Sequence, residues 1–210
     1  MFITLEGGEG SGKSTLLNAI SQSFSDRGIS HLTTREPGGT PTAERIREVA
    51  LDPARETPLS ALAMALLMNA ARADHLDNLI RPNLAQGKSV VCDRFSDSTR
   101  AYQMAQGGVS EEALGMLDTT VLADTVPDLT LLLDAAPEDL LSRRKARAGQ
   151  ADVFERRELA FHRAVREQFL AIAKQAPDRV VVLNALQAPG ALSEAAVQVI
   201  LQRMLERGQT

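Results

Sequence analysis

The run Gly7-Gly8-Glu9-Gly10-Ser11-Gly12-Lys13-Ser14 fits the phosphate-loop pattern GxxxxGK[ST] at every fixed position. Its flanks suit the pattern. Phe2 to Glu6 is short and β-prone, and Thr15-Leu16-Leu17-Asn18-Ala19-Ile20 reads as the first turns of a helix. A strand, a glycine loop and a helix N-terminus together make an anion cradle. The glycines let successive backbone N–H groups point at phosphate oxygens, and the helix dipole favours the negative charge. In such a cradle Lys13 reaches the terminal phosphates and the Ser14 hydroxyl holds Mg2+. The chain is therefore expected to bind a nucleoside triphosphate.

A cradle of this kind belongs to a parallel sheet covered by helices, and the rest of the chain follows that rhythm. Further strands are predicted at His31 to Thr34, Ser89 to Cys92, Asp128 to Asp134 and Arg179 to Leu183. Helices are predicted after Lys13, then over Pro41 to Leu51, Pro58 to about Ala85, Ser110 to Asp124, Pro137 to Ala148, Asp152 to Ala176 and Ser193 to Glu206. Gly28 and Gly87 fall just past helix ends, and Pro41, Pro58 and Pro137 fall at helix starts. No repeat, linker or low-complexity tract interrupts the pattern. The expected fold is α/β: a P-loop three-layer sandwich with a five-stranded parallel sheet, helices on both faces and a short helical lid, all within one domain spanning 1–210. The Pro58 to Ala85 helix is apolar around much of its circumference (Leu59, Leu62, Met64, Leu66, Leu67, Met68, Leu76, Leu79), so it needs more than one packing partner. That partner is either the sheet alone or the sheet together with a second subunit.

Composition narrows the class. A net charge of −4 argues against a nucleic-acid-coating surface, and no apolar stretch approaches the ~20 residues of a membrane span. The single cysteine, Cys92, forbids an internal disulfide and suits a reducing, cytoplasmic setting. His31, His75 and His162 lack metal-ligand spacing.

Three further clusters fall at or near the carboxyl ends of predicted strands, where open α/β sheets bind ligands. Thr34-Arg35-Glu36-Pro37-Gly38-Gly39-Thr40 follows the second strand, and Asp93-Arg94 follows the third and leads to Ser98-Thr99-Arg100-Ala101-Tyr102-Gln103. Asn69-Ala70-Ala71-Arg72 lies on the long helix between them. Arg94, leaving an apolar strand, offers a planar fork suited to an acceptor phosphate, and Asp93 stands where a strand-end carboxylate holds Mg2+ through water. Glu9 is an acid inside an anion cradle, so its side chain must face away from the triphosphate.

These segments, with the strand Pro127-Asp128-Leu129-Thr130-Leu131-Leu132-Leu133-Asp134 and a basic tract beyond it, closely resemble the thymidylate kinase family, its bacterial branch in particular. The resemblance covers the whole chain. It implies an ATP-dependent, Mg2+-assisted conversion of dTMP to dTDP by a homodimer. ATP would lie on Gly7, Gly8, Glu9, Gly10, Ser11, Gly12, Lys13, Ser14 and Thr15, with Ser14 and Asp93 on the metal. By the same resemblance dTMP would contact Glu9 through its 3′-hydroxyl and Arg72 through a thymine carbonyl. Met68 would lie against the base, Tyr102 against the sugar, and Arg100 and Gln103 near base and phosphate. Arg94 would serve the acceptor phosphate, Arg35 either that phosphate or the catalytic carboxylates, and Asn184 to Ala188 the adenine.

The chain departs from the family pattern twice. Met68 stands where a stacking phenylalanine is usual, so base selection is expected to be looser, and Val153 replaces a lid arginine. Transfer between phosphates needs positioning and positive charge rather than a general base, because the acceptor's second pKa is about 6. The loop carries no arginine, which implies a cation from the lid, residues 142–155. Arg147 and then Arg144, within Arg143-Arg144-Lys145-Ala146-Arg147, are the candidates. Two other readings fit: a nucleoside monophosphate kinase with relaxed base choice, or a nucleotide-binding protein without transferase activity.

Overall fold

The computed structural model describes residues 1–141, 154 and 157–208. Five strands form one parallel sheet: β1 (Phe2–Gly7), β2 (His31–Arg35), β3 (Ser89–Asp93), β4 (Leu129–Asp134) and β5 (Val180–Asn184), in the order β2-β3-β1-β4-β5. All five coincide with the predicted runs to within a residue at each end. The apolar runs β1, β3 and β4 occupy the buried centre, while β2 and β5 form the partly exposed edges. Register sets Arg35 opposite Asp93, Leu5 opposite Asp93 and Gly7 opposite Leu133. The carboxyl ends of β1, β2 and β3 therefore open onto one edge.

Side-chain alternation divides the core between the two faces. Ile3, Leu5, Val91, Leu129, Leu131 and Leu133 pack against Leu16, Ile20 and Phe24 of α1 (Lys13–Asp26) and Leu192, Ala196 and Ile200 of α8 (Pro189–Glu206). The opposite face is covered by α3 (Ala61–His75), α5 (Ser96–Gln106) and α7 (Leu159–Gln175), where Met64, Met68, Ala101, Tyr102, Leu132, Val165 and Phe169 cluster. Fully burying one leucine or phenylalanine contributes about 1.5–3 kcal/mol, so these two layers supply most of the drive to fold.

The remaining helices are α2 (Pro41–Ala50), α4 (Arg81–Ala85) and α6 (Glu111–Leu122). The predicted helix from Pro58 starts three residues later, because the Ser60 hydroxyl accepts the Ala63 N–H and fixes the cap. It also contains a π turn at Leu76–Ile80 before α4. Pro82 explains the break, since it lacks an N–H and crowds the carbonyl of the preceding turn. Helix α7 begins at Leu159 rather than Asp152, and α8 begins four residues before Ser193, with Pro189 in its first turn. The helix expected over Pro137 to Ala148 falls largely outside the described residues. Among the described residues no helix is long and apolar enough to cross a membrane.

Candidate active site

The loop after β1 is shaped by a steric demand at Gly7. A Cβ there would lie 2.4 Å from the Leu133 carbonyl oxygen, and φ is +135°, so only glycine lets β1 turn beside β4. The loop then enters α1, and the Lys13 ammonium folds back onto the carbonyl oxygens of Gly7 and Gly8, each at 3.0 Å. Burial, and next the positive charge of Arg94, lower the Lys13 pKa to about 8. A desolvated cation held by neutral oxygens, with Ser11 Oγ the third at 3.5 Å, is primed for anionic ones.

A cavity of about 540 Å³ opens beside the loop. Of the predicted donor-site residues, Glu9, Gly10, Ser11, Gly12, Lys13, Ser14 and Thr15 line it, while Gly7 and Gly8 border a smaller hollow behind the loop. On the far side Ala185 and Gln187 from the segment after β5 line it as well, joined by Pro189 and Ser193 at the start of α8.

The Ser14 hydroxyl donates to Asp93 Oδ2 at 3.2 Å, and Asp93 Oδ1 is buried with no hydrogen-bond partner. An orphaned carboxylate oxygen next to a hydroxyl, at the rim of a phosphate cradle, is a donor set that suits Mg2+.

Arg94 sits at the junction of loop and cavity, and its backbone takes φ +69°, a conformation costly for a side chain with a Cβ. That turn aims the guanidinium back at the loop. Nη1 donates to the Gly7 carbonyl at 3.1 Å and to Ser98 Oγ at 3.0 Å, and Nη2 to Glu9 Oε1 at 2.5 Å and to the Tyr102 hydroxyl at 3.2 Å. Tyr102 in turn donates to Glu9 at 3.0 Å. Burial is the largest single influence and would lower the guanidinium's pKa, but Glu9, Tyr102, Asp93 and Glu6 together outweigh it and hold the pKa above the ordinary arginine value. Glu9 thus faces Arg94 and Tyr102, away from the triphosphate cradle, as its charge requires.

Ser98 is held from behind by Glu6, which the sequence reading passed over. The buried Glu6 carboxylate accepts the Ser98 hydroxyl at 2.5 Å and the backbone N–H groups of Phe95, 2.8 Å, and Ser98, 3.3 Å. It therefore caps α5 and steadies Arg94 through Ser98. Burial, and next the charge of Asp97, push its pKa up to about 7.

Deeper in the cavity lie Met68, Arg72, Thr99, Tyr102 and Gln103. Arg72 is 2% exposed and bonded to Glu36, Asn69 and Thr99. Gln103 is equally enclosed, and its Oε1 has no partner. Phe154 closes this end, edge-on to Tyr102 at 5.0 Å between ring centres. Arg35 is at the rim, with both oxygens of Glu44 2.9 Å from its Nη2, and Arg47 of α2 joins the lining by way of the Pro37 carbonyl.

Arg100 is not brought to the cavity. Thr99, Tyr102 and Gln103 share one face of α5, and Arg100, about 100° round from Thr99, points toward Glu111 and α6 instead. Arg144 and Arg147, with the rest of the basic tract and Val153, lie outside the described residues.

Comparison with known proteins agrees with this geometry. The family model described as thymidylate kinase matches residues 5–196. The chain is 49% identical over 203 residues to the thymidylate kinase of Chromohalobacter salexigens, covering 97% of this chain and 96% of that one. It is 46% identical to the thymidylate kinase of Caulobacter vibrioides, with 97% of each covered. The crystal structure of thymidylate kinase from Ehrlichia chaffeensis superimposes with a TM-score of 0.77 at 32% identity, covering 96% of this chain and 98% of the other.

Proposed function

The chain belongs to the thymidylate kinase family and phosphorylates dTMP to dTDP with ATP, and we propose the division of labour by which its residues do so. The observation that carries the proposal is the position of Arg94. Its guanidinium touches the phosphate loop on one side and the deep pocket on the other, so a group bound against it lies between donor and acceptor sites.

The donor triphosphate wraps onto the N–H groups of the loop, and Lys13 turns from the loop carbonyls to its phosphates. Ser14 and Asp93 hold Mg2+, which neutralises charge on the phosphate oxygens when bound. The acceptor phosphate takes a share of Arg94, and the 3′-hydroxyl of the sugar replaces Tyr102 or Arg94 as a donor to Glu9. Tyr102 packs against the sugar, and Met68 and Phe154 enclose the ring.

Base identity is read by a donor and an acceptor. Arg72 keeps an N–H on each terminal nitrogen beyond its protein bonds, and Gln103 Oε1 is a buried acceptor. Thymine offers a carbonyl to the first and its ring N–H to the second; cytosine offers the reverse pattern and leaves both unpaired. A pocket built to hydrogen-bond its substrate rejects such a mismatch strongly.

The cation missing from the loop comes from Arg147 and Arg144, an effect worth about 10³–10⁵ in rate for an arginine so placed. We further propose a single-domain homodimer working in the cytoplasm. The half-exposed Leu62 and Leu66 of α3, with Val49 of α2 and Met116 of α6, supply an apolar surface on three helices that pack together.

A coupled ADP-release assay with dTMP, dUMP, dCMP, dGMP and dAMP tests the reading. dTMP is expected to lead, dUMP to follow, and dCMP to trail by orders of magnitude. A lead for dCMP or a purine would overturn the base assignment.

A further inference from the structure

Behind the cavity wall a buried imidazole has no part in the reaction proposed above. His75, at the end of α3, is fully enclosed and is not among the residues lining the cavity described above. Its Nδ1 is 3.0 Å from Glu36 Oε1, and its Nε2 is 2.8 Å from Thr34 Oγ1 on β2. A carboxylate oxygen only accepts, so Nδ1 carries a proton and donates to Glu36, while the threonine hydroxyl, which can donate or accept, pairs with Nε2.

Glu36 passes the constraint on. Its second oxygen, Oε2, accepts Arg72 Nε at 2.8 Å. Arg72 Nη1 and Nη2 are fixed by Asn69 at 3.2 Å and Thr99 at 2.8 Å, and the guanidinium lies 5.1 Å from the centre of the Phe95 ring. The chain of bonds thus runs from a strand of the sheet, through His75 and Glu36, to the plane of the guanidinium. The turn after β2 fits around the imidazole. A Cβ on Gly39 would lie 2.4 Å from His75 Nε2 and 2.6 Å from Thr34 Oγ1, at a φ of +90°.

Met68 is a flexible chain where a flat ring would define the plane of the base. The direction of the Arg72 N–H groups then carries more of the selection. A hydrogen-bonding group must be held to within about 0.5 Å and 10–20° to discriminate, and a group is held that well only by its own supporting bonds.

We propose that His75 is a positioning residue that sets base selectivity, orienting Arg72 through Glu36. The proposal rests on Arg72 reading the base. It requires the Nδ1 donor to Glu36, not merely a group that fills the space. An asparagine amide nitrogen falls near the position of Nδ1, whereas a glutamine nitrogen falls near Nε2. His75→Asn therefore keeps the bond to Glu36, and His75→Gln and His75→Leu lose it.

The readout is the ratio of kcat/KM for dTMP to that for dCMP, which does not depend on how much of a preparation is folded. His75→Leu and His75→Gln should lower this ratio about tenfold, the usual scale for a lost supporting bond, chiefly through KM for dTMP. His75→Asn should hold it within about twofold of the parent. Should His75→Leu fail to fold, the asparagine and glutamine variants decide. Parental ratios in both leucine and glutamine variants, or no advantage of asparagine over glutamine, would overturn the proposal. A parent enzyme that does not distinguish dTMP from dCMP would instead overturn the reading of Arg72 itself.

Discussion

Glu6→Gln isolates the consequence of burying an acid beneath the active site. Glu6 is 1% exposed and its pKa is pushed from 4.5 to about 7, by burial first and the charge of Asp97 second. A rise of this size corresponds to about 3 kcal/mol between the two protonation states. The sign follows from proton counting. Between pH 4.5 and 7 the folded protein keeps a proton that the unfolded chain has released, so stability falls as pH rises through that window and levels off above it. Glutamine matches the shape and has no proton to lose. Urea unfolding of parent and variant at pH 5 and pH 8, at one protein concentration, gives the stability difference at each pH. That difference should move in favour of the variant by about 2–3 kcal/mol between the two conditions. Terms independent of pH, such as replacing the Oε2 acceptor of the Ser98 hydroxyl by an amide donor, cancel in the comparison. A difference that stays constant to within about 0.5 kcal/mol would refute the argument, because Glu6 would then titrate alike in both states.

Other perturbations probe the remaining parts of the site. Arg94→Ala and Arg94→Gly should both abolish turnover, but calorimetry should find the glycine variant more stable by about 1 kcal/mol, since φ +69° suits glycine alone. Asp93→Asn and Ser14→Ala should raise the Mg2+ concentration needed for half-maximal rate at least about tenfold, with KM for dTMP changed little; equal effects on both would argue against the metal assignment. Gly39→Ala should lose about 2 kcal/mol or more in chemical unfolding, because its Cβ meets His75 and Thr34 at a positive φ. ATP affinity, followed by fluorescence titration, should weaken up to about tenfold per pH unit above pH 8 as Lys13 deprotonates, and Lys13→Met should bind weakly without that dependence.

What the sequence revealed and what it concealed differ in kind. The strands were legible because β1, β3 and β4 are buried on both faces and so read as apolar runs, and the loop was legible because its geometry demands glycines at fixed spacing. Helix α5 was not, because five of its seven buried residues, Ser96, Asp97, Ser98, Thr99 and Gln103, are polar and only the adjacent Ala101 and Tyr102 are apolar. A buried polar face has no apolar period to detect. Several of its partners are distant in the chain: Glu6 for Ser98, Arg179 for Asp97 and Arg72 for Thr99. Glu6 itself was masked as the last residue of an otherwise ordinary strand, although an acid at the end of a strand buried on both faces is a signal in its own right. The family resemblance placed Arg100 in the site, but helical geometry carries it off the stripe of Thr99, Tyr102 and Gln103. Glu36 stood inside a quoted motif, and only folding shows that it joins Arg72 to His75.

The cations of the site fall into two groups, and the difference explains the acid in the phosphate loop. Burying a positive charge without a partner is far costlier than burying a pair, so each must be met by an acceptor before any substrate arrives. Arg72 is met by Glu36 and Thr99 deep in the pocket, through bonds that still leave an N–H on each terminal nitrogen. Its geometry is preorganised, as reading a base requires. Lys13 and Arg94 are met instead at the cavity surface, by loop carbonyls and by Glu9. On the proposed division of labour these partners are exchangeable: phosphate would take over from the carbonyls and from Glu9, and the sugar hydroxyl would then occupy the carboxylate. Glu9 holds Arg94 in the empty pocket and, in the proposed complex, would accept a substrate hydroxyl. Because Glu9 belongs to the phosphate loop itself, occupation of the acceptor site is, on this proposal, mechanically joined to the shape of the donor site.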